Sequence, residues 1–422
     1  MSWLNNFNIV LHIDAETTEN INSKNILTSL ELTKQLNSAA SCYDAAPFSS
    51  SLLFSIDYDP HVLSISKGQK VDLYFGDKKL GVFYITDFTP PADDEVIATI
   101  TAYDLFYNLI NKEIIPDFEI LDGVDLKTYI KQVFLSVGIA EEKILISEDL
   151  AANVLNYSVC AGKSLADILV EYCLAADVFI FVDAEENIRV IPKEVIVNEE
   201  EVTEVLDDSV LYGLDLGVNY DEMKTGIKLV YNRLTVGETE EITKIETTLQ
   251  PNIMTELLNI SLPSPLYLIE QVKTGVNCEL DGVKSSQNNL SLYLTSTMEE
   301  EATAEIIVLG KFIKFVESFL ERKEQVENQD ILEVYTQLIQ DTSSAQILLS
   351  LLYPRLTQRT LTGYIMPDDF NIELCKIFNV SSNVKGLNPI YAYVYGFKFS
   401  AVEGDVDLEI ILQEIKEVEV NE

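Results

Sequence analysis

The chain holds only two imidazoles, His12 and His61, and five thiols, Cys42, Cys160, Cys173, Cys278 and Cys375. Acid–base and nucleophilic chemistry at neutral pH most often starts from such groups. Each histidine stands in a strand-like or turn context, and two are too few for a His-rich metal site. The thiols are odd in number and scattered, and no two have the C-x-x-C spacing of a zinc or redox motif. They read as small apolar packing groups. Carboxylates are the abundant class, with 69 Asp+Glu against 29 Lys+Arg. Two carboxylates suffice for glycoside hydrolysis, so a peptidoglycan- or glycan-processing enzyme is the alternative reading. Carbohydrate clefts recruit stacking aromatics, however, and the single tryptophan, Trp3, reads as a packing residue. Phosphate-binding, zincin and nucleophile-elbow motifs are all absent from the sequence. The runs Glu199-Glu200-Glu201 and Glu299-Glu300-Glu301 are strings rather than converging ligands and read as solvated faces. No catalytic, cofactor-binding or metal-ligating residue is therefore assigned, and the expectation is a protein that is not an enzyme and carries no cofactor.

The net charge of −40 over 422 residues argues against partners that need a basic face, namely nucleic-acid backbones and anionic membrane surfaces. At 47% hydrophobic and 23% charged, the chain still carries enough apolar side chain to build cores. Its length corresponds to roughly two to four domains. The N-terminus, Met1-Ser-Trp-Leu-Asn-Asn-Phe7, lacks the basic and apolar regions of a secretory signal. No stretch approaches the roughly 20 apolar residues of a spanning helix, and residues 168–182 are interrupted by Glu171 and Asp177. These features predict a chain made and folded in a cytoplasm.

Residues 1–115 read as mostly strand. Leu52, Phe54 and Ile56 alternate with Ser51, Ser55 and Asp57, the period of a half-buried strand. A strand over 71–75, a turn at Gly76-Asp-Lys-Lys79 and a returning strand over 82–85 form a hairpin. After the loop Pro90-Pro-Ala-Asp-Asp94, residues 96–103 are again strand, and the set suggests a small antiparallel barrel or sandwich. Residues 116–200 change character. Leu126, Tyr129, Ile130, Val133, Phe134 and Val137 share a helical face that ends at Gly138. A second helix starts at Ser164, with Asp167 completing a capping box. A hairpin over 178–182 and 188–191 follows. Strands and polar turns return over 201–340. Within 311–340, Phe312, Phe315, Phe319 and Leu320 fit a helix while Ile331, Glu333 and Tyr335 alternate like a strand, and both readings stay open. A helix over Thr342–Leu352, capped by Asp341 or Thr342, ends at Pro354. The tail echoes the first module: Asn371-Ile-Glu-Leu374 matches Val71-Asp-Leu-Tyr74, residues 391–399 match 81–88, and residues 406–410 match 96–100.

Three segments carry a family resemblance: Ser66-Lys-Gly-Gln-Lys-Val-Asp-Leu73, Gly81-Val-Phe-Tyr-Ile-Thr-Asp87 and Ala98-Thr-Ile-Thr-Ala-Tyr-Asp-Leu105. Together they resemble the I-x-x-G-D-x-V, G-x-F-x-I and T-I-x-A-x-D-x-L run of phage tail hub proteins, with Gln69 where that family often has Asp. These are the central baseplate hubs of contractile tails, related to the hub part of type VI secretion spikes and to the tail-tip hub proteins of long-tailed phages. The resemblance implies an α+β, mostly β fold, with two similar small antiparallel β-barrels per chain, an inserted α/β module and a late helix. It divides the chain into a first hub β-barrel (1–115), an α/β insert of two helices and a hairpin (116–200), a second β-rich region (201–340), and a helix plus C-terminal β-unit (341–422). Under it, 311–340 becomes mainly strand. It implies a homotrimer that adapts a sixfold tail tube to a threefold central spike and lines the channel. Its partners would be the tail tube protein, the central spike protein, other baseplate proteins and the tape-measure C-terminus, with no stable nucleic-acid binding and no membrane insertion. Assembly in the bacterial host cytoplasm into a virion or tail-like particle follows, and the short stretch after the last β-unit points towards a contractile tail. The acidity would line the channel, repelling phosphate over a Debye length of roughly 8–10 Å.

Overall fold

The structure, a computed structural model, describes residues 6–12, 18–21, 27–36, 47–61, 63–92, 95–110, 124–150, 154–155, 163–193, 202, 204–216, 224–251, 253–285, 289–324, 330–365, 372–402 and 405–415. The first β-rich stretch forms β1 (Phe7–His12), β2 (Thr18–Asn20), β3 (Leu27–Gln35), β4 (Ser51–Asp57), β5 (Lys70–Phe75), β6 (Lys78–Thr89) and β7 (Ile97–Tyr103). In β4, Leu52, Phe54 and Ile56 are buried between less buried neighbours, as their alternation predicts. Gly76 supplies the positive φ for the tight turn between β5 and β6. There follow α1 (Leu105–Leu109), β8 (Val124–Asp125), α2 (Leu126–Ser136), β9 (Ile144–Ile146), β10 (Val154–Leu155), α3 (Leu165–Ala175), β11 (Val178–Val182) and β12 (Ile188–Pro192). Helix α2 stops where Gly138 adopts φ +90°. At the start of α3, the Ser164 hydroxyl oxygen accepts from the Asp167 N–H at 3.2 Å and the hydroxyl donates to the Asp167 carboxylate at 2.6 Å.

Short strands β13 (Val205–Leu206) and β14 (Leu211–Asp215) precede a long β-rich excursion. It comprises β15 (Gly226–Val236), β16 (Glu240–Leu249), β17 (Met254–Ser261), β18 (Leu266–Thr274), β19 (Cys278–Ser285), β20 (Asn289–Ser296), β21 (Ala302–Lys323) and β22 (Ile331–Thr336). Residues 311–340 are thus mainly strand, and the helical alternative for Phe312, Phe315 and Phe319 is set aside. Helix α4 (Thr342–Leu352) is capped by Asp341, which accepts from the Ser344 N–H at 2.8 Å, and passes at Tyr353 into a 3-10 turn carrying Pro354. The chain closes with β23 (Thr360–Ile365), β24 (Ile377–Ser382), β25 (Leu387–Val402) and β26 (Asp405–Glu414).

The fold is α+β and mostly β. Thirteen strands form one sheet, in which β3-β4-β7-β6-β5-β1 is one run and β14-β23-β26-β25-β24-β13 another. The two runs have the same order, and corresponding pairs are antiparallel except that β13 meets β24 in parallel. The echo in the sequence is therefore a repeated six-strand unit. One detail is corrected: Ile372 and Glu373 are not strand, because the chain turns at Leu374 and Cys375, where Cys375 has φ +66°. The counterpart of β5 is β24, starting at Ile377.

The units join where residues 396–402 of β25 pair with residues 29–35 of β3. One core runs beneath both, and Phe7 from the first unit packs on Phe399 from the second with ring centroids 4.6 Å apart. Among the described residues the paired strands run in one order from β14 to β2. A second core unites α2, α3 and α4 with β15 and β22, placing the late helix against the α/β module. A third fills a small sandwich, with β16-β21-β18 facing β17-β20-β19. The 22-residue β21 spans both bodies, pairing with β16 and β18 through its first half and with β15 through its second.

Candidate functional site

The residues with the most reactive side chains are not brought together. His12 pairs with Asp72 across β1 and β5 at 2.8 Å, whereas His61 lies exposed in a turn whose backbone N–H bonds to Asp59 at 2.8 Å. Cys173 and Cys278 are buried in α3 and β19. Burial pushes the Cys375 thiol up to about 12, so it is a poor nucleophile. Trp3, Cys42, Cys160 and the run at 199–201 lie outside the described residues. Glu299, Glu300 and Glu301 are exposed, as solvated groups should be. Among the described residues no cluster of three or more His, Cys, Asp or Glu is placed to hold a metal ion.

Charged groups gather instead at the junctions between bodies. Arg355, just after α4, donates to both carboxylate oxygens of Asp177, from Nη2 at 2.6 Å. Both side chains are buried, so the pair ties the late helix to the head of β11. Tyr84 on β6 donates to Glu186 in the turn between β11 and β12, and Lys70 on β5 reaches the same carboxylate at 3.3 Å. Arg359 makes a forked pair with Glu414, 2.8 Å from Nε and 2.7 Å from Nη2, holding β23 against β26.

A cleft of about 360 Å³ opens where the β3–β25 seam, the tip of the β5–β6 hairpin, the β11–β12 turn and the turn before β24 converge. Its rim is laced by Lys78–Glu373 at 2.6 Å, Lys79–Glu185 at 3.6 Å and Arg189–Asp183 at 4.0 Å. Its wall includes Lys34 of β3, only 8% exposed, whose Nζ donates to the backbone carbonyl of Leu80. Among the described residues no carboxylate lies within ion-pair distance of Lys34. Burial pulls this ammonium down to about 8, against the opposing charges of Asp104, Asp183 and Glu373. Asp104 is itself buried and caps α1, accepting from Ser49 Oγ and the Ser50 N–H at 2.7 Å each and from the Phe106 N–H at 3.1 Å. Its carboxyl is pushed up by desolvation against the pull of these bonds.

Reading the sequence for reactive types misses Lys34, although a signal exists. Leu30, Leu32, Lys34 and Leu36 share one phase of a period-two pattern, and all four are buried. A lysine on the inward phase of a strand marks a buried cation.

No family model and no curated protein sequence matches the chain. Solved structures match over nearly its whole length. The 43 kDa tail protein of prophage MuSo2 from Shewanella oneidensis aligns with a TM-score of 0.58 at 11% identity, covering 96% of this chain and 98% of that one. The tail protein from Neisseria meningitidis MC58 aligns at 0.58 and 7% identity, covering 98% and 97%. Prophage tail protein gp18 from Listeria monocytogenes EGD-e aligns at 0.51 and 10% identity, covering 98% and 95%. At such identities the likeness is one of fold, and the fold of this chain is that of these phage tail proteins.

Proposed function

We propose that the chain is the structural hub of a phage tail or tail-like particle, a homotrimer that adapts the sixfold tail tube to the threefold central spike and lines the channel. The observation that carries this reading is the repeated six-strand order within one sheet. Three copies of a chain with two like units present six units, so a sixfold ring can seat on a threefold assembly. The join between β25 and β3 suggests how copies meet. By the repeat, β6 corresponds to β25 and β14 to β3. The bonding around Ile85 supports this. Ile85 donates to Gln69 O at 2.9 Å and accepts from the Gly68 N–H at 2.7 Å, while Val394 donates to Lys376 O at 2.8 Å and accepts from the Cys375 N–H at 2.9 Å. Beyond Val394 the strand pairs with β3; beyond Ile85, β6 of one copy would pair with β14 of the next.

On this reading the second unit draws β13 and β14 from the 201–340 region and β23 to β26 from the 341–422 region, with the sandwich and helices as excursions. Its partners are the tail tube, the central spike, other baseplate proteins and the tape-measure C-terminus, and its role is structural rather than catalytic. Assembly takes place in the bacterial host cytoplasm. Native mass spectrometry tests the reading: a species near three times 47.4 kDa is expected, alone or with its spike. A chain that stays monomeric in both conditions sinks it.

A further inference from the structure

We propose that the cleft between the β3–β25 seam and the β11–β12 turn is a socket for one carboxylate carried on a short aliphatic stem. The proposal rests on the cleft itself and not on the hub reading. Its volume, about 360 Å³, falls in the range of small-molecule sites, about 300–1,000 Å³. Two features select the ligand. The first is Lys34, a buried ammonium on the cleft wall that has three donors, of which one is used among the described residues, on Leu80 O. A buried cation without a bonded anion is costly, and an entering carboxylate would relieve that cost. The second is the wall beside it, which is apolar, with Leu80, Phe181, Ile191, Leu374 and Phe397. These surfaces would take a hydrocarbon stem.

The rim argues against a larger polyanion. Lys78, Lys79 and Arg189 already face Glu373, Glu185 and Asp183, so the mouth is close to neutral and its cations are engaged. A phosphate chain or nucleic acid would bring several negative charges against those three carboxylates, whereas a single carboxylate brings one and gains the Lys34 ammonium. Two of the rim pairs, Lys78–Glu373 and Lys79–Glu185, connect separate segments, so the socket is built by the folded junction and not by one loop.

The same chemistry could be presented by a free aliphatic acid or by a glutamate side chain on another protein. Isothermal titration of the full chain at neutral pH with hexanoate, hexanol and the blocked tripeptide acetyl-Leu-Glu-Leu-amide separates these sources. Saturable hexanoate binding is expected, with hexanol much weaker. Replacing Lys34 by Met should weaken hexanoate by about tenfold or more, the scale of a lost charged hydrogen bond. Ala184→Trp keeps Lys34 but fills the mouth, and should also abolish binding, which covers the case in which Lys34→Met fails to fold. Tripeptide binding at least as tight as hexanoate assigns the socket to a protein-borne glutamate, and binding of hexanoate alone assigns it to a free acid; either supports the site. Equal binding of hexanol, an unchanged affinity in either variant, or no binding of either acid overturns it.

Discussion

Lys34 is the residue where burial and charge conflict most openly. Its pKa of about 8 in the fold lies below the ordinary 10.5. Between those values the unfolded chain holds the proton more firmly than the folded one, so stability contributed by this group rises with pH. Below about pH 8 the full cost of burying the charge is present. The stability gap between the wild type and Lys34→Met should therefore shift in favour of the wild type by about 3 kcal/mol as pH rises from about 8 to 10.5. Denaturant titrations of both proteins at several pH values measure it; a gap that does not move with pH means that water reaches the ammonium. Asp177 makes the opposite case, a buried charge fully met by Arg355. Its φ of +54° is one that Asn also tolerates, so Asp177→Asn isolates the charge from the backbone. Stranding Arg355 in this way should cost about 3–5 kcal/mol, and the double variant with Arg355→Met should recover part of it. Urea unfolding of the wild type and these two variants provides the check.

At the scale of elements, what could be read from the sequence depended on whether one local rule governed a segment. Helices α2, α3 and α4 were legible because each carries a clear local signal: the α2 stripe ends at Gly138, and Ser164 and Asp341 each accept an N–H in the first turn of α3 and α4. Strand β21 was not legible, because it serves two bodies. Ala304, Ile306, Val308, Gly310 and Phe312 face the sandwich core in strict alternation, but 314–317 are exposed on both faces as the strand crosses to β15. Periodicity averaged across such a crossing mimics a helix. Glycine marks the tight point of the sandwich half. A Cβ on Gly310 would run into Leu268 O and Ile242 Cδ1, and β18 shifts register on both sides of that contact. Since the obstacle includes backbone, Gly310→Ala should cost about 1–3 kcal/mol or more. Amide exchange should quicken in 266–274 while the 13-stranded sheet keeps its protection. Loss of protection everywhere would instead show the sandwich and the sheet to unfold as one. The cleft was illegible for a related reason: its segments lie far apart in sequence, and only the inward phase of Lys34 hinted at it.

For the whole molecule the governing quantity is the charge of −40. Ion pairs neutralise only a part of it, and those described mostly join elements within the chain. Copies brought together in the proposed ring would therefore repel, and backbone pairing and apolar contact would have to overcome that field. The sign of the salt response follows. If association were driven by ion pairs between copies, dilution of salt would tighten it. Here, lowering ionic strength from about 0.15 M to about 0.01 M lengthens screening from about 8 Å to about 30 Å and should loosen the trimer. Sedimentation across that range measures the effect, and a trimer that tightens at low salt would place complementary charge at the interface. In the proposed ring the same field would act on whatever passes through it. Duplex DNA should show no retardation by the protein even at about 0.01 M salt, where a basic groove would bind it most strongly. Retardation there would reveal an accessible basic face and count against a negative channel wall.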